Sequence, residues 1–577
     1  MIFFRKKLNL LLLFSFALLA CSSESEYIEP QNDNNALATM KDIAFNNLSN
    51  AFNIKGRQIN TYFINNEDVP YVEALEFIQS LDGYIKCGST LRYKYYENKN
   101  MLVFSYYYNS NPSSYIQFQG DRNKIYVSDL DFFSNIVNYN QSTNYSSYIK
   151  YTDFESSNEQ SVMFDIGTYY FDILYYKGKC LIPFVIANML FCSLNYYNLF
   201  YTDNCYYGYY GEIYNQAEEY NTIFNNSLNG QTQSNAMRKA SINSFLFAMD
   251  KFYGLKYYKG ITLFKDYISD DDFSLLWSSN ADDNFLALQH ILLKNLDEIH
   301  TRINGHSMFS NKQTESPYYL NDCGKLWNKF YFLKSQQSAL RKQILGETIL
   351  PVRYYDDTAI ITFDSFVTGS NTDIYDNDGN VKDTAWEYDT YFFMQHCMNE
   401  ITQHAEIKDI VINLSLNGGG NVGAMMRTLG FLSDDVLLDY SYDSLTKEYS
   451  CSHYKIDTDG DGYYDDDAFD QYRWTILSSL NTFSAANDFI CKVKQQNLAK
   501  VIGNTSGGGM CSVLPLVLAN GTPITISSNN LSVYYKNKTY YAIENGLNPD
   551  LEIPYSDYYD ISKISSYVDT VWSNGKN

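Results

Sequence analysis

Ser484 is the side chain of this sequence that is best placed for nucleophilic chemistry. It lies within 481–489, where small residues around Ser484 predict a sharp turn from a strand into a helix. The hydroxyl would then lie at the positive end of the helix, beside free backbone N–H groups. Acyl transfer needs an exposed Oγ and donors aimed at an oxyanion. An ordinary N-cap serine fits the same local pattern, so both interpretations stay open on this stretch alone.

Six histidines could supply a general base for such a serine: His290, His300, His306, His396, His404 and His453. A serine hydrolase needs a base that a carboxylate orients. His300 follows the end of a helical pattern, and we therefore expect it at an edge that can face a cleft. A surface or hydrogen-bonded structural role stays open for each of the six.

The elements that must position these residues alternate between strand and helix in the final third of the chain. Strands are predicted at 358–363, 409–414 and 500–503, and helices at 388–404 and 484–496. This order indicates an α/β core over residues 346–577. Before it, residues 225–345 form a predicted helical segment that carries His300, with apolar stripes at 240–250 and 285–293.

Residues 41–220 are rich in tyrosine and carry short alternating patterns, at 55–60, 101–106 and 124–127, which predict short antiparallel strands. Two stretches, 68–78 and 179–190, each predict a strand, a proline and an apolar helix. We interpret this region as one α+β accessory domain with weak internal duplication. An adhesion or carbohydrate-binding role for it is one open hypothesis.

The first twenty residues predict an export signal, with a basic start and a short apolar run. Leu18–Cys21 fits a bacterial lipobox, so Cys21 is the predicted lipidation site and residues 21–40 a polar linker. A plain cleaved signal with an incidental cysteine is the alternative. The predicted location is the bacterial cell envelope, lipid-anchored, on the periplasmic side or the cell surface.

The net charge of −23 argues against nucleic acid as a partner and against a basic patch that docks on anionic lipid. The ten cysteines are irregularly spaced and give no zinc pattern. An acidic insertion at 450–470 places Asp457, Asp459, Asp461 and Asp465 at positions one, three, five and nine of an EF-hand-like loop. Because position twelve is Ala468, a structural calcium site and a solvated acidic loop both stay open.

Six motifs in the same order resemble the serine peptidase family of the C-terminal processing and tricorn-core proteases. They are 298–303, 361–366, 410–420, 482–486, 501–503 and 544–550, spread over residues 235–560. The resemblance implies an α/β core of the ClpP/crotonase-like class. Fewer than sixty residues separate His300 from Ala359, too few for the PDZ domain of many relatives, so none is predicted.

The resemblance also implies roles for single residues. C-terminal processing enzymes use a Ser–Lys dyad, but the position of that lysine is Gly509 here. Tricorn-type members use serine, histidine and glutamate, which match Ser484 as nucleophile, His300 as base and Glu544 as the carboxylate that orients it. The implied oxyanion hole is the Ala485 N–H with an N–H of the glycine turn, Gly418 or Gly419. No cofactor is required for this chemistry.

The predicted function is therefore a membrane-anchored extracytoplasmic serine peptidase acting on peptides or unfolded protein. Three positions depart from the family pattern: Asn413 and Ser415 replace the usual Asp and Arg before the glycines, and Asn487 replaces a common Glu. They motivate the alternative, a degenerate member that binds a peptide or glycan without cleaving it. Lys492, Lys494 and Lys500 are interpreted as solvated charges and not as a substitute base.

Overall fold

The structure, a computed structural model, describes residues 38–139, 147–157, 161–214, 217–316, 322–465 and 467–573. The predicted export signal, Cys21 and nearly all of the predicted linker lie outside these residues. Within them, no helix is both long and apolar enough to cross a membrane.

The described residues of the N-terminal region contain short strands and four α-helices. The strands are β1 (Ala38–Asn47), β2 (Gln58–Ile64), β3 (Pro70–Glu73), β4 (Leu91–Tyr96), β5 (Met101–Tyr108), β6 (Asn111–Gln119), β7 (Lys124–Val127), β8 (Ile149–Ser156), β9 (Val162–Asp165), β10 (Leu174–Tyr176), β11 (Lys179–Pro183), β12 (Tyr197–Thr202) and β13 (Cys205–Tyr210). The helices are α1 (Ala74–Ser80), α2 (Asp131–Asn135), α3 (Phe184–Phe191) and α4 (Glu218–Phe224).

Two sheets are built from these strands, in the orders β10-β11-β3-β2-β1-β13-β12 and β4-β5-β6-β7-β9. Both predicted strand–proline–helix units form, as β3–α1 and β11–α3, and the two strands pair antiparallel with Val72 opposite Ile182. The three patterns that predict antiparallel strands form β2, β5 and β7, and all of their pairings are antiparallel. One pairing outside those patterns is parallel, between β1 and β13.

In the sequence, the helical segment follows the N-terminal strands and precedes the C-terminal ones. It contains α5 (Asn235–Phe252), α6 (Phe264–Tyr267), α7 (Asp270–Leu276), α8 (Ala281–Leu288), a π-helical turn (Gln289–Asn295), β14 (Arg302–Ile303) and α9 (Lys325–Leu345). Ser234 caps α5 by accepting the Met237 N–H through its hydroxyl. The apolar stripe of α5 is buried, as its 3.6-residue period predicts.

The C-terminal third contains the predicted α/β arrangement. Its strands are β15 (Val352–Tyr355), β16 (Thr358–Thr362), β17 (Asp409–Asn413), β18 (Leu437–Asp443), β19 (Glu448–Ile456), β20 (Arg473–Ser478), β21 (Lys500–Gly503), β22 (Cys511–Val517), β23 (Pro523–Lys536), β24 (Thr539–Ala542) and β25 (Leu551–Glu552). Its helices are α10 (Asn371–Ile374), α11 (Thr390–Ile401), α12 (Val422–Gly430), α13 (Ala485–Gln496) and α14 (Ile561–Ser573).

Strands β16, β17, β20, β21 and β25 run parallel in one sheet, with β15 antiparallel at its edge. Since β17 and β20 are parallel neighbours, their carboxyl ends meet at one edge of the sheet. The glycine turn follows β17 and Ser484 follows β20, so this topology brings the two motifs together.

A further sheet, β14-β23-β18-β19-β8, crosses the predicted domain boundaries, because β8 from the N-terminal region pairs with β19. One apolar cluster likewise runs from Ile43 to Ile543. The division into accessory domain, helical segment and core stays a prediction, although strand pairing and apolar packing both connect its parts. No disulfide joins the described cysteines, Cys87 to Cys511.

Candidate active site

Ser484 occupies a strained turn between β20 and α13. Its backbone angles are φ 57° and ψ −125°, and its side chain makes no capping hydrogen bond to α13. An N-cap serine has extended angles and accepts an N–H from the first turn, so the ordinary N-cap interpretation is wrong. Backbone strain of this kind is typical of functional sites, and a sharp strand-to-helix turn presents a nucleophilic hydroxyl.

The glycine turn packs directly against Ser484. A Cβ added to Gly419, where φ is +101°, would lie 2.7 Å from the Ser484 Cβ and 2.9 Å from the Ala485 nitrogen. Only glycine allows this approach. Ala485 is the first residue of α13, so its N–H has no partner within the helix, and its nitrogen lies beside the glycine turn.

The two predicted glycine donors differ in what they already bond. The Gly419 N–H donates to the Asn417 side-chain oxygen at 2.9 Å, whereas Gly418 is exposed, with nothing within 4 Å of the position of an added Cβ. The Gly418 N–H is therefore the better placed of the two to bind a substrate oxygen.

His300 is buried, with 4% of its surface exposed, and its ring packs on the Phe483 ring at a centroid distance of 4.6 Å. Within the described part of the chain, neither ring nitrogen has a hydrogen-bond partner. Burial, with a smaller effect of the Arg302 charge, lowers the pKa of His300 to about 3. The imidazole is thus neutral and next to the residue that precedes Ser484, but it is bonded neither to Ser484 nor to Glu544.

Glu544 is held from the other side of the site. Its Oε2 accepts the Met510 N–H at 2.9 Å, and its backbone oxygen accepts the Gly509 N–H at 3.4 Å. Burial of the carboxyl group, together with the nearby charge of Glu298, raises the pKa of Glu544 to about 8. The side chain is therefore largely protonated at neutral pH.

One tripeptide, Gly508–Met510, contacts all three predicted catalytic residues. The Gly508 oxygen accepts the Ser484 N–H at 2.9 Å, and Met510 bonds the Glu544 carboxylate. A Cβ added to Gly509, where φ is +80°, would lie 3.1 Å from the His300 Cε1 and 2.5 Å from the Phe483 ring. The two rings therefore fill the space that a side chain at the position of the dyad lysine would need.

The three positions that depart from the family pattern differ in their hydrogen bonds. Asn487 accepts the Ser506 hydroxyl at 2.7 Å and donates to the Ile543 oxygen at 3.1 Å, so it links α13 to the residue before Glu544. The Ser415 hydroxyl lies 3.3 Å from that of Tyr559. The Nδ2 of Asn413 is buried without a partner among the described residues.

The interpretation of Lys492 as a solvated charge is wrong. Its side chain is buried and pairs with Asp488 and Asp439, each at 2.8 Å. Lys492 lies on the buried face of α13, and its two carboxylate partners offset the cost of removing its charge from water. Sequence alone also overlooked Glu298, whose carboxylate bonds the His300 backbone; the available signal was an acid two residues before the histidine.

The acidic loop brings together three of its four predicted ligands. Carboxylate oxygens of Asp457, Asp459 and Asp461 lie within 4.8 Å of one another, and Asp465 is not in this group. Asp457 is buried and accepts the N–H groups of Gly460 and Gly462 at 2.6 and 2.9 Å. Carboxylate oxygens suit Ca²⁺, which takes about six to eight oxygen ligands. The same hydrogen bonds also describe an acidic turn, and calcium stays a prediction.

Residues 358–553 match a family described as Peptidase family S41. Ser484 and Glu544 lie inside the matched range, and His300 lies before it. No curated protein matches the chain. The family match agrees with the resemblance predicted from the six motifs.

Three solved structures illustrate what the chain is similar to. A candidate peptidase from Parabacteroides merdae is 16% identical, with a TM-score of 0.40, 59% of this chain covered and 97% of that chain. Mature CPAF is 11% identical, with a TM-score of 0.34 and 58% and 96% covered. A lipoprotein from Streptococcus agalactiae is 16% identical, with a TM-score of 0.28 and 41% and 74% covered. These scores are too low to support any inference about activity.

Proposed function

We propose a mechanism and a location for this protein, which carries a peptidase family S41 domain at residues 358–553 and is therefore a serine-type hydrolase. In the proposal, Ser484 is the nucleophile, His300 the general base and Glu544 the carboxylate that orients the base. The observation that carries it is the convergence of the three residues on Gly508–Met510. The substrates are peptides or unfolded proteins.

The proposed reaction is acyl transfer in two steps. The Ser484 Oγ attacks the scissile carbonyl carbon while His300 takes the hydroxyl proton, and the carbonyl oxygen becomes an oxyanion. The N–H groups of Ala485 and Gly418 bind that oxyanion. The C–N bond then breaks as His300 gives its proton to the leaving amine. Water, deprotonated by His300, hydrolyses the acyl-enzyme by the same route and regenerates Ser484.

Two changes separate the described arrangement from a reactive one. An imidazole nitrogen must bond the Ser484 hydroxyl, and the other must donate to an ionised Glu544. Catalytic hydrogen bonds often form only when substrate is bound, so their absence in the free protein is compatible with this role. A buried neutral imidazole can accept a proton, provided that an ionised carboxylate stabilises the imidazolium that results.

The finer fold class and the anchor are also part of the proposal. The parallel strands β16, β17, β20 and β21, with α11, α12 and α13 between them, support a ClpP/crotonase-like core. Between β14 and β15 the described residues contain the long helix α9 and irregular chain, which supports the lack of a PDZ domain. The lipobox at Leu18–Cys21 supports a lipid anchor in the bacterial envelope.

Covalent labelling with a fluorophosphonate probe tests the catalytic part. The wild type should be labelled, Ser484→Ala should not be, and His300→Ala should react at a strongly reduced rate. Ser566→Ala and His404→Ala are matched controls on exposed residues and should label like the wild type. Persistent labelling of Ser484→Ala would refute the assignment, and an unlabelled wild type that still binds peptide would favour the degenerate alternative.

Metabolic labelling with a radioactive fatty acid in a bacterial host tests the anchor. The wild type should incorporate label and sediment with membranes, and Cys21→Ser should do neither. A wild type that is secreted without label would overturn the lipoprotein prediction and leave the catalytic proposal untouched.

A further inference from the structure

Glu298 is a buried carboxylate directly beside the proposed base. Only 1% of its surface is exposed. Its Oε2 accepts the His300 backbone N–H at 2.8 Å, and its Oε1 accepts the Ser527 hydroxyl at 3.0 Å. A carboxylate with both oxygens bonded to the protein cannot swing away, so this contact fixes the backbone from which the imidazole projects.

The turn that carries Glu298 and His300 is fixed at further points. Asp297 has a left-handed backbone, φ 44°, and its carboxylate accepts N–H groups at the start of α9, from Leu326 at 2.9 Å and Trp327 at 3.2 Å. The Trp327 indole N–H donates to the Glu298 backbone oxygen at 2.9 Å. The base therefore stands on a turn attached to α9 on one side and to β23 on the other.

Glu298 also acts on the proposed orienting carboxylate. The charge of Glu298 opposes ionisation of Glu544. The charges of both acids also help to raise the pKa of Tyr253 and of Cys511. The other titratable groups that face Glu544 are Tyr258 and Lys259, and the Lys259 ammonium is bonded to the Leu296 oxygen at 2.7 Å. Glu298 and Glu544 thus share a buried region with one cation, Lys259, and the charge of Glu298 opposes ionisation of Glu544.

We infer that Glu298 is a positioning residue: its buried carboxylate, bonded to the His300 N–H and the Ser527 hydroxyl, fixes the His300 main chain and places a negative charge in the buried region that it shares with Glu544. This inference rests on the proposed roles of His300 and Glu544. It predicts that removing the charge and removing the hydrogen bond have separable effects.

Glu298→Gln removes the charge and keeps the shape, since its amide oxygen can still accept the His300 N–H. The acid limb of kcat/KM should move to lower pH, with little loss at the plateau. Glu298→Ala removes both functions and should lower kcat on the order of 10²-fold, because the imidazole is no longer held in place. Ser527→Ala removes one support of Glu298 and should give a smaller loss with an unshifted pH profile.

A second readout does not need activity. A Glu544 carboxyl whose pKa is raised on folding stabilises the native state at low pH, and this stabilisation is lost as pH rises from about 4.5 to about 8. The difference in Tm between a protein and its Glu544→Gln derivative, measured against pH, isolates this group. In the Glu298→Gln background the loss should be complete at lower pH than in the wild type.

The outcomes separate this inference from the proposed function. If the Tm difference follows the same pH course in the wild-type and Glu298→Gln backgrounds, the charge part of the inference is wrong. If Glu298→Ala keeps the wild-type kcat, the positioning part is wrong. A wild type that no fluorophosphonate labels would overturn the proposed function alone, since the Tm experiment still decides whether Glu298 controls Glu544. Should Glu298→Ala fail to fold, Glu298→Gln and Ser527→Ala carry both tests.

Discussion

The nucleophile side and the base side of the site are built by different means. Around Ser484 the main chain does the work: the strained serine, the Gly419 turn and the Gly508 oxygen are in contact before any substrate arrives. Around His300 and Glu544 the backbones are fixed as well, but the functional atoms are not bonded to one another. The nucleophile side is already assembled. On the base side the His300 ring must still rotate towards its partners, and Glu544 must lose a proton.

The two sides therefore lower the stability of the protein for different reasons: backbone strain on the nucleophile side and buried polar atoms without partners on the base side. The nucleophile side holds backbone strain, which costs roughly 1–3 kcal/mol for a non-glycine residue in such angles. The base side holds desolvated polar atoms, since a buried donor or acceptor without a partner costs about 1–3 kcal/mol. Substitutions that act on one term and not the other can therefore test the comparison.

The largest expected effect comes from Gly509, where the two sides meet. Gly509→Ala should lower kcat/KM on the order of 10²-fold or more, because the new Cβ would displace the Phe483 and His300 rings. Gly178→Ala is the matched control: its φ of +77° carries the same backbone cost, but nothing lies within 4 Å of an added Cβ. A larger Tm loss and a much larger activity loss at Gly509 than at Gly178 would support the geometry. An active Gly509→Ala would refute it.

The next effect is the pH dependence of the wild type. Since the pKa of Glu544 is raised to about 8 and only its ionised form orients the base, kcat/KM should rise through a midpoint near pH 8. Roughly two pH units below the midpoint, activity should be about a hundredth of the plateau. His300, with its pKa lowered to about 3, should add no limb between pH 5 and 8.

Glu544→Gln tests the assignment of that limb. Its residual activity should be nearly independent of pH over the same range, because glutamine cannot ionise. A wild-type profile with a midpoint near the ordinary histidine value would show instead that His300 titrates, and that the base side is more solvated than the described burial indicates.

The sequence predicted the nucleophile side far better than the base side, and the reason is physical. Local patterns determine the Ser484 turn and the glycine turn, and parallel pairing of β17 and β20 then brings them together. The base side depends on contacts between residues far apart in the chain, such as Ser527 with Glu298 and Met510 with Glu544. No periodicity encodes those contacts, so the burial of Lys492 could not be predicted from the sequence. For Glu298 the sequence offers only its position two residues before His300.

A smaller effect is expected on stability when the base itself is removed. His300→Leu should abolish activity and yet raise stability by about 1–3 kcal/mol, since an apolar side chain replaces two buried nitrogens that have no partner among the described residues. His404→Leu, at a half-exposed histidine that pairs with Glu406 and packs on the Tyr354 ring, should change stability much less than His300→Leu. A fall in Tm for His300→Leu would mean that the imidazole is already bonded in solution and that the base side is assembled after all.

The smallest effect isolates the strain at Ser484. Both Ser484→Gly and Ser484→Ala should be inactive, but the glycine variant should be more stable than the alanine variant by about 1 kcal/mol, because only glycine adopts φ 57°, ψ −125° without cost. At Ser566, in the exposed interior of α14, the order should reverse by a similar amount, since alanine favours a helix over glycine. Because the stability difference between glycine and alanine should have opposite signs at the two positions, a general effect of glycine on the unfolded chain cannot explain both results. If alanine is also the more stable replacement at Ser484, the turn relaxes in solution. The nucleophile side then holds no backbone strain, and the contrast with the base side fails.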